Sequence, residues 1–433
     1  MLYEEYLKKR HKYQAFGADF LLEKKHACLF YKPGLGKTYP VIEATREVVK
    51  SGKNKVLVLS TADAIRKMWL TEIKPQNILP IDTEYVTFNK AIQDDTAYAL
   101  THRHWDVVIV DEVHRCKAIN TKTSRLLHKL TKHVEYVFGL TGTPRGNTDV
   151  DIFCQLHNLN VSEWGTISYT KFVDTMCDTK NVYTGSRVVQ LPVGISERYR
   201  EAWEANLSQY TQRVNYDDGD VEMPKLVVTP VSIKYEKTKA YLDALDGIVS
   251  IGDEETTVAK LAAITKLHEL ANGYLYYDDL DDVRHVQYIN ENAKVEWLMC
   301  NLKPNSVVVY QFEQDKSDIM RLLDTFVGYS HTDDPEYFKN GKADILLLQC
   351  SRCESFNLQM CNTLIFYTMD YSYIKYNQML HRVWRIGQTS QVNIYVLIAE
   401  DTIEEEIWNA VRNKERLADL FMRVKGKCNG QES

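Results

Sequence analysis

The chain has 433 residues, so at roughly 150 residues per domain it holds two or three domains and can bury sizeable cores without disulfides or metals. Hydrophobic residues make up 44% and charged residues 26%, a globular composition that excludes long-range disorder. With 53 basic and 59 acidic residues the net charge is −6, which excludes a generally basic nucleic-acid binder but leaves room for a local basic groove.

No apolar run approaches the roughly 18 residues that a bilayer span needs. Residues 1–12 are charged and carry no apolar signal core. The expectation is a cytoplasmic protein, of a bacterium or of a host cell, with no membrane partner. Nine scattered cysteines suit reduced thiols. Cys350 and Cys353 form a lone CxxC with Cys361 nearby, and no second pair completes a zinc site.

In chain order, residues 1–155 alternate short apolar runs with amphipathic stretches. Strands are expected at 27–31, 55–60, 84–87, 107–111 and 136–141, with helices such as 37–51 and 62–73 between them. Near-continuous apolar runs are the mark of parallel strands buried on both faces, and the alternation is a βαβ pattern. Residues 156–285 lose that alternation and read as a helical insertion or linker, with helices at 197–214, 234–249 and 256–272 and an acidic close at 277–282. This middle is a candidate surface for a protein partner. Residues 286–433 return to βαβ, with strands at 306–311, 345–349, 363–367 and 393–398, then a long charged helix at 402–424. The expected fold class is α/β, with two parallel-sheet lobes, a helical middle and a C-terminal brace helix.

Four segments carry the chemistry. Gly34-Leu35-Gly36-Lys37-Thr38 follows an apolar strand and opens a helix, after Pro33. Such a loop turns backbone N–H groups toward phosphate, with Lys37 on the β/γ-phosphates and the Thr38 hydroxyl on Mg²⁺. The strand 107–110 runs into Asp111-Glu112-Val113-His114, where Asp111 can hold Mg²⁺ and Glu112 can polarise the attacking water. Leu140-Thr141-Gly142-Thr143-Pro144 follows a third apolar run and offers hydroxyls to the acidic pair. Near the end, residues 378–388 contain Gln378, Arg382 and Arg385; the two arginines, three apart, are read on one helix face as arginine fingers.

In this order the four segments resemble superfamily-two ATPases of the Swi/Snf type, the ATP-driven double-stranded DNA translocases. The ending Arg385-Ile386-Gly387-Gln388 and the following Asp401-Thr402-Ile403-Glu404-Glu405 are hallmarks of that branch. Tyr13-Gln14, Leu267-His268-Glu269-Leu270-Ala271-Asn272-Gly273 and Asn292-Ala293-Lys294 extend the resemblance from about residue 12 to residue 423. It implies two RecA-like lobes and ATP with Mg²⁺ as cofactors. It gives Gln14 as the adenine reader, and His114, Thr141, Thr143 and Gln378 as the groups coupling the lobes.

For nucleic acid, most directly double-stranded or branched DNA, the resemblance points to the segments 61–69, 87–90, 311–316 and 351–359. Within them Arg66, Lys67, Lys90, Ser351, Arg352 and Asn357 are the candidates. The sequence departs from the family at Tyr31-Lys32-Pro33, where an acidic pair and methionine are usual, and at His381, where glycine is usual. Residues 351–359 lack the family's glycine-rich character. The chain looks like a minimal, phage- or bacterial-type member. A strand-separating DNA or RNA helicase shares every ATPase motif, and a slowly hydrolysing nucleotide-switched clamp is the alternative of another class.

Overall fold

The computed structural model describes residues 2–145, 148–184, 187–218, 222–251, 254–257, 260–279, 281, 283–352, 358–385 and 387–413. The chain divides into two compact units, Met1–Glu222 and Met223–Ser433.

In the first unit, β1 (His26–Tyr31), β2 (Val56–Ser60), β3 (Glu84–Thr87), β4 (Val107–Asp111) and β5 (Tyr136–Leu140) lie where the apolar runs place them. An antiparallel hairpin follows, β6 (Cys177–Thr184) with β7 (Arg187–Ile195), and then β8 (Thr211–Val214). The main sheet has the order β3-β2-β4-β5-β1-β8 and is parallel throughout. Every residue of β2 and β4 is buried, which is why these strands read as unbroken apolar runs. All the strands point one way, so the segments leaving β1, β2, β3, β4 and β5 start along one edge, where ligands bind in open α/β sheets.

In the second unit, β9 (Leu226–Ile233) is followed by two hairpins, β10 (Ile248–Ile251) with β11 (Glu254–Thr257), and β12 (Tyr274–Asp278) with β13 (Arg284–Tyr288). Then come β14 (Ser306–Tyr310), β15 (His331–Thr332), β16 (Ile345–Gln349), β17 (Thr363–Phe366) and β18 (Val392–Ala399). Their sheet, β15-β16-β14-β17-β18-β9, is again wholly parallel. Alternate residues fill two cores. Val307, Val309, Leu346 and Phe366 pack with the helices Lys260–Ala271, Tyr373–Val383 and Ile403–Asn413. Val308, Tyr310, Leu347 and Ile365 pack with Ala293–Asn301 and Glu313–Leu322. Each unit is thus an α/β domain built on a parallel six-stranded sheet.

The middle of the chain differs from the helical expectation. Its helices are shorter, Arg200–Tyr210, Lys239–Leu245 and Lys260–Ala271, and strands separate them. The first ends because Thr211 turns extended (φ −133°, ψ 125°) and the chain joins β1 as a sixth strand. In the second unit β9 joins β18 over eight residue pairs. The stretch 62–73 is helical, but beyond Ala64 it winds with π-type bonding over Ile65–Ile73. Of the expected terminal helix, Ile403–Asn413 is described and the remainder lies outside the described residues. No described helix is long and apolar enough to cross a membrane.

A candidate nucleotide site and nucleic-acid contacts

The phosphate loop leaves β1 at Lys32 and enters the helix Thr38–Lys50. Gly34 and Gly36 hold left-handed backbone, φ 89° and 69°, which side chains rarely adopt. Gln14 lies under this loop. Its Oε1 accepts from the His11 N–H at 3.0 Å, and its Nε2 donates to the Leu35 carbonyl at 3.1 Å. The structure thus sets the expected adenine reader against the phosphate loop itself.

Asp111 ends β4 and is buried. Its Oδ2 accepts from Ser60 Oγ at 3.1 Å and from the Trp69 indole at 3.2 Å, and its Oδ1 accepts from the Glu112 N–H at 3.0 Å. Burial pushes its carboxyl above the ordinary value and Glu112 adds to the rise, against the pull of Lys37, Trp69 and Ser60. A buried carboxylate in that condition is one that a cation would serve. Glu112 takes left-handed backbone, φ 57° and ψ 48°, a strained position for a non-glycine residue and one typical of functional sites. Its carboxylate lies 3.2 Å from His114 Nδ1, which is 3.0 Å from Thr141 Oγ1. Thr141 Oγ1 also accepts from the Thr143 N–H at 3.1 Å.

The third segment meets the first at Gly142. A Cβ there would stand 2.9 Å from Pro33 Cδ and Cγ, so only glycine lets the β5 loop lie against the phosphate loop. Pro33, Gly34, Leu35, Gly36, Lys37, Thr38, Asp111, Glu112, His114, Thr141 and Thr143 therefore all sit in segments that begin at one sheet edge. The Thr38 hydroxyl is 3.6 Å from Met68 Sδ, at the mouth of the same edge. Glycine backbone for phosphate, a lysine, a hydroxyl opening the helix and a buried carboxylate are the donor set that Mg²⁺ and a nucleoside triphosphate require.

In the second unit, Gln378 and Arg382 lie on the helix Tyr373–Val383, with Gln378 buried and Arg382 half-buried. Arg385 does not share that helix face. The helix stops because Trp384 turns extended (φ −83°, ψ 96°) and its indole donates to the Pro224 carbonyl at 2.7 Å. Gln388 then clips the loop down, donating to the carbonyls of Gln359 (2.6 Å) and Cys361 (2.7 Å). His381 is buried with its ring stacked on Trp384, centroids 5.2 Å apart.

Three segments of the family resemblance converge where motif spacing gives no hint. Lys294 is fully buried and donates to Asn272 Oδ1 (2.9 Å), the Tyr367 carbonyl (3.1 Å) and Glu404. His268 Nε2 lies 3.3 Å from the same Glu404 carboxylate, whose Oε2 accepts from the Ala399 N–H at 2.8 Å. Burial would raise the Glu404 carboxyl, but Lys294 and His268 hold it below its ordinary value. This ionic cluster joins three helices of the second unit, Lys260–Ala271, Ala293–Asn301 and Ile403–Asn413.

The nucleic-acid candidates separate by place. Arg66 and Lys67 ride the helical segment after β2, where Arg66 is exposed and pairs with Asp63 at 2.5 Å; Lys90 is exposed just after β3. Trp69, in the same expected contact segment, points inward to Asp111. Ser351 and Arg352 are exposed after β16, with Arg352 3.9 Å from Asp333. Lys316 also holds Asp333, at 2.8 Å, and keeps its carboxyl below the ordinary range. Asn357 lies outside the described residues.

No family model matches the chain. It is similar over 459 residues, at 23% identity, to an uncharacterized ATP-dependent helicase of Bacillus subtilis, YqhH, covering 95% of this chain and 78% of that protein. It is also 23% identical over 435 residues to the Drosophila melanogaster SWI/SNF-related matrix-associated actin-dependent regulator of chromatin subfamily A-like protein 1, covering 94% of this chain but 55% of that protein. The solved Sulfolobus solfataricus SWI2/SNF2 ATPase core in complex with double-stranded DNA superposes with a TM-score of 0.42 at 18% identity, over 96% of this chain and 93% of that one. The chain is thus similar over nearly its whole length to ATP-dependent helicases, a SWI/SNF-related regulator among them, and it carries the phosphate-loop, acidic, Thr-Gly-Thr and arginine segments in that order.

Proposed function

We propose that the chain is an ATP-dependent double-stranded DNA translocase, acting on duplex or branched DNA. The observation that carries the ATPase half is the convergence of three segments at one edge of the first sheet, with Gly142 seated against Pro33 and the buried Asp111 held by Ser60 and Trp69. Lys37 would bind the terminal phosphates, the glycine loop would wrap them, and Thr38 and Asp111 would hold Mg²⁺, which would neutralise phosphate charge. Glu112, swung off the strand by its left-handed backbone, takes the proton of the attacking water, and His114 with Thr141 orients that carboxylate. Arg382 and Arg385 act on the transferred phosphate. Duplex DNA is supported by the family and by exposed cations after β2, β3 and β16, which suit backbone contacts that carry no sequence information.

The test is ATP turnover by the purified chain with duplex DNA, single-stranded DNA and RNA, alongside triplex displacement and strand unwinding. Stimulation by duplex DNA with triplex displacement and no unwinding is expected. Stimulation by RNA alone would overturn the reading.

A further inference from the structure

The phosphate loop is gripped from a side that its motif does not reveal. The gripping segment is β8 with the turn Tyr216–Asp218, the last described stretch of any length in the first unit. The Lys32 N–H donates to the Val214 carbonyl at 3.0 Å, so the ladder between β1 and β8 continues one residue into the phosphate loop. The Tyr216 hydroxyl donates to the Pro33 carbonyl at 2.8 Å. Asp218 fixes the turn by accepting from the Asn215 N–H at 2.7 Å and from Asn215 Nδ2 at 3.0 Å.

One layer below, the departure from the family at Tyr31 becomes intelligible. Its ring is fully buried, and its hydroxyl donates to Gln212 Oε1 at 2.5 Å and lies 3.1 Å from the Tyr13 carbonyl. Gln212 Nε2 donates to that same carbonyl at 3.0 Å. Gly17 leaves the space: a Cβ there would stand 2.1 Å from the Tyr31 hydroxyl. The Tyr13 hydroxyl in turn donates to the Leu35 carbonyl at 3.1 Å. Two routes therefore run from β8 to the phosphate loop, one through Tyr216 to Pro33 and one through Gln212, Tyr31 and Tyr13 to Leu35. A buried hydrogen-bonded network of this kind fixes one geometry, and loss of one partner leaves another polar group unpaired.

We infer that Tyr31, Gln212 and Tyr216 are positioning residues that strap the phosphate loop to β8, so that nucleotide affinity is set in part by the segment 211–218. The inference rests on the nucleotide-site reading above and adds to it a control point far along the chain. None of the three needs to touch the nucleotide. The strap orders the loop before binding, and a loosened loop must be ordered at the expense of binding energy.

The experiment compares Tyr216→Phe and Gln212→Ala in the full chain with wild type, measuring the Kd for Mg·ADP and, separately, kcat and KM for ATP with duplex DNA. Tyr216→Phe is expected to weaken ADP binding and raise KM about 3- to 10-fold with kcat within about twofold, the size of one lost hydrogen bond. Tyr210→Phe is the control, because its hydroxyl lies 2.8 Å from Ser162 Oγ and serves neither route; it should bind ADP as wild type does. Wild-type ADP affinity in Tyr216→Phe, or an equal loss in Tyr210→Phe, overturns the strap. If Gln212→Ala fails to fold, the Tyr216→Phe result decides alone. A wild-type chain that binds Mg·ADP but ignores DNA would sink the translocase reading and leave the strap tested by affinity. A wild-type chain that binds no Mg·ADP would overturn both.

Discussion

Replacing Lys294 by Met tests whether the buried ionic cluster holds the second unit together. The ammonium is fully buried and has three oxygen partners, while Glu404 is 5% exposed. Removing the cation leaves a buried carboxylate with the Ala399 N–H, the Asn272 amide and His268 but without its lysine, a loss of about 3–5 kcal/mol. For a unit of this size each kcal/mol moves the midpoint by about 2–4 °C, so the second transition should fall by about 6–20 °C. Two units need not melt together, so the assay is calorimetry combined with hydrogen exchange, which assigns the lost protection to the second unit. The double variant Lys294→Met with Glu404→Gln should recover more than half of the loss, because the amide oxygen can still accept from Ala399 and the uncompensated carboxylate charge is gone. A single-variant loss under about 1 kcal/mol, the worth of an exposed pair, would refute the reasoning.

The pH dependence has a definite sign. Glu404 sits below its ordinary value of 4.5 in the folded chain, so its contribution is complete above that pH and is lost as the pH falls through the lower folded value. Asp315 is raised by burial and contributes the opposite slope, so the Glu404 share is read as the difference between wild type and Glu404→Gln.

Three further outcomes follow from the same geometry. Lys37→Ala or Arg385→Ala should abolish ATP turnover while circular dichroism and melting stay near wild type; normal turnover in either would discard the assigned roles. Asp111→Asn should abolish turnover yet stabilise the nucleotide-free chain. The Asp111 carboxyl is raised by burial, so its charging costs stability as the pH rises past the ordinary carboxylate value of 3.8, and the gain should be larger at pH 8 than at pH 4 by thermal melting. Replacing Arg66, Lys67 and Lys90 together by Gln should lower the slope of log affinity for duplex DNA against log salt by up to about 0.9 per lost phosphate contact; an unchanged slope would remove them from the DNA path.

What the sequence discloses depends on whether a residue's role is local. Four inner strands of the first sheet, β1, β2, β4 and β5, are legible because a strand buried on both faces must be largely apolar along its length, and the chemistry at their ends is legible because each motif occupies a few consecutive residues. β8 escapes such a reading. Thr211-Gln212-Arg213-Val214 is an edge strand with one neighbour, its composition is mixed, and it takes its place only through pairing with β1, about 180 residues earlier. The end of the arginine helix escapes for the same reason, since it depends on a tryptophan finding a carbonyl at Pro224. Glu404 and Lys294 are recognisable as family signatures, yet neither segment states that they are partners, because the attraction exists only once both are buried. Trp69 illustrates the converse, a residue in an expected contact segment that turns inward because its indole satisfies a buried carboxylate. These cases all depend on polar groups paired across more than forty residues. Phosphate-loop control by β8 belongs to the same class: Tyr31 looks like a defect in its motif until Gln212 and Gly17 are seen to make room and a partner for its hydroxyl. A departure from a family pattern at a buried polar position is therefore best read as half of a pair, and its other half is to be sought in the fold rather than in the motif.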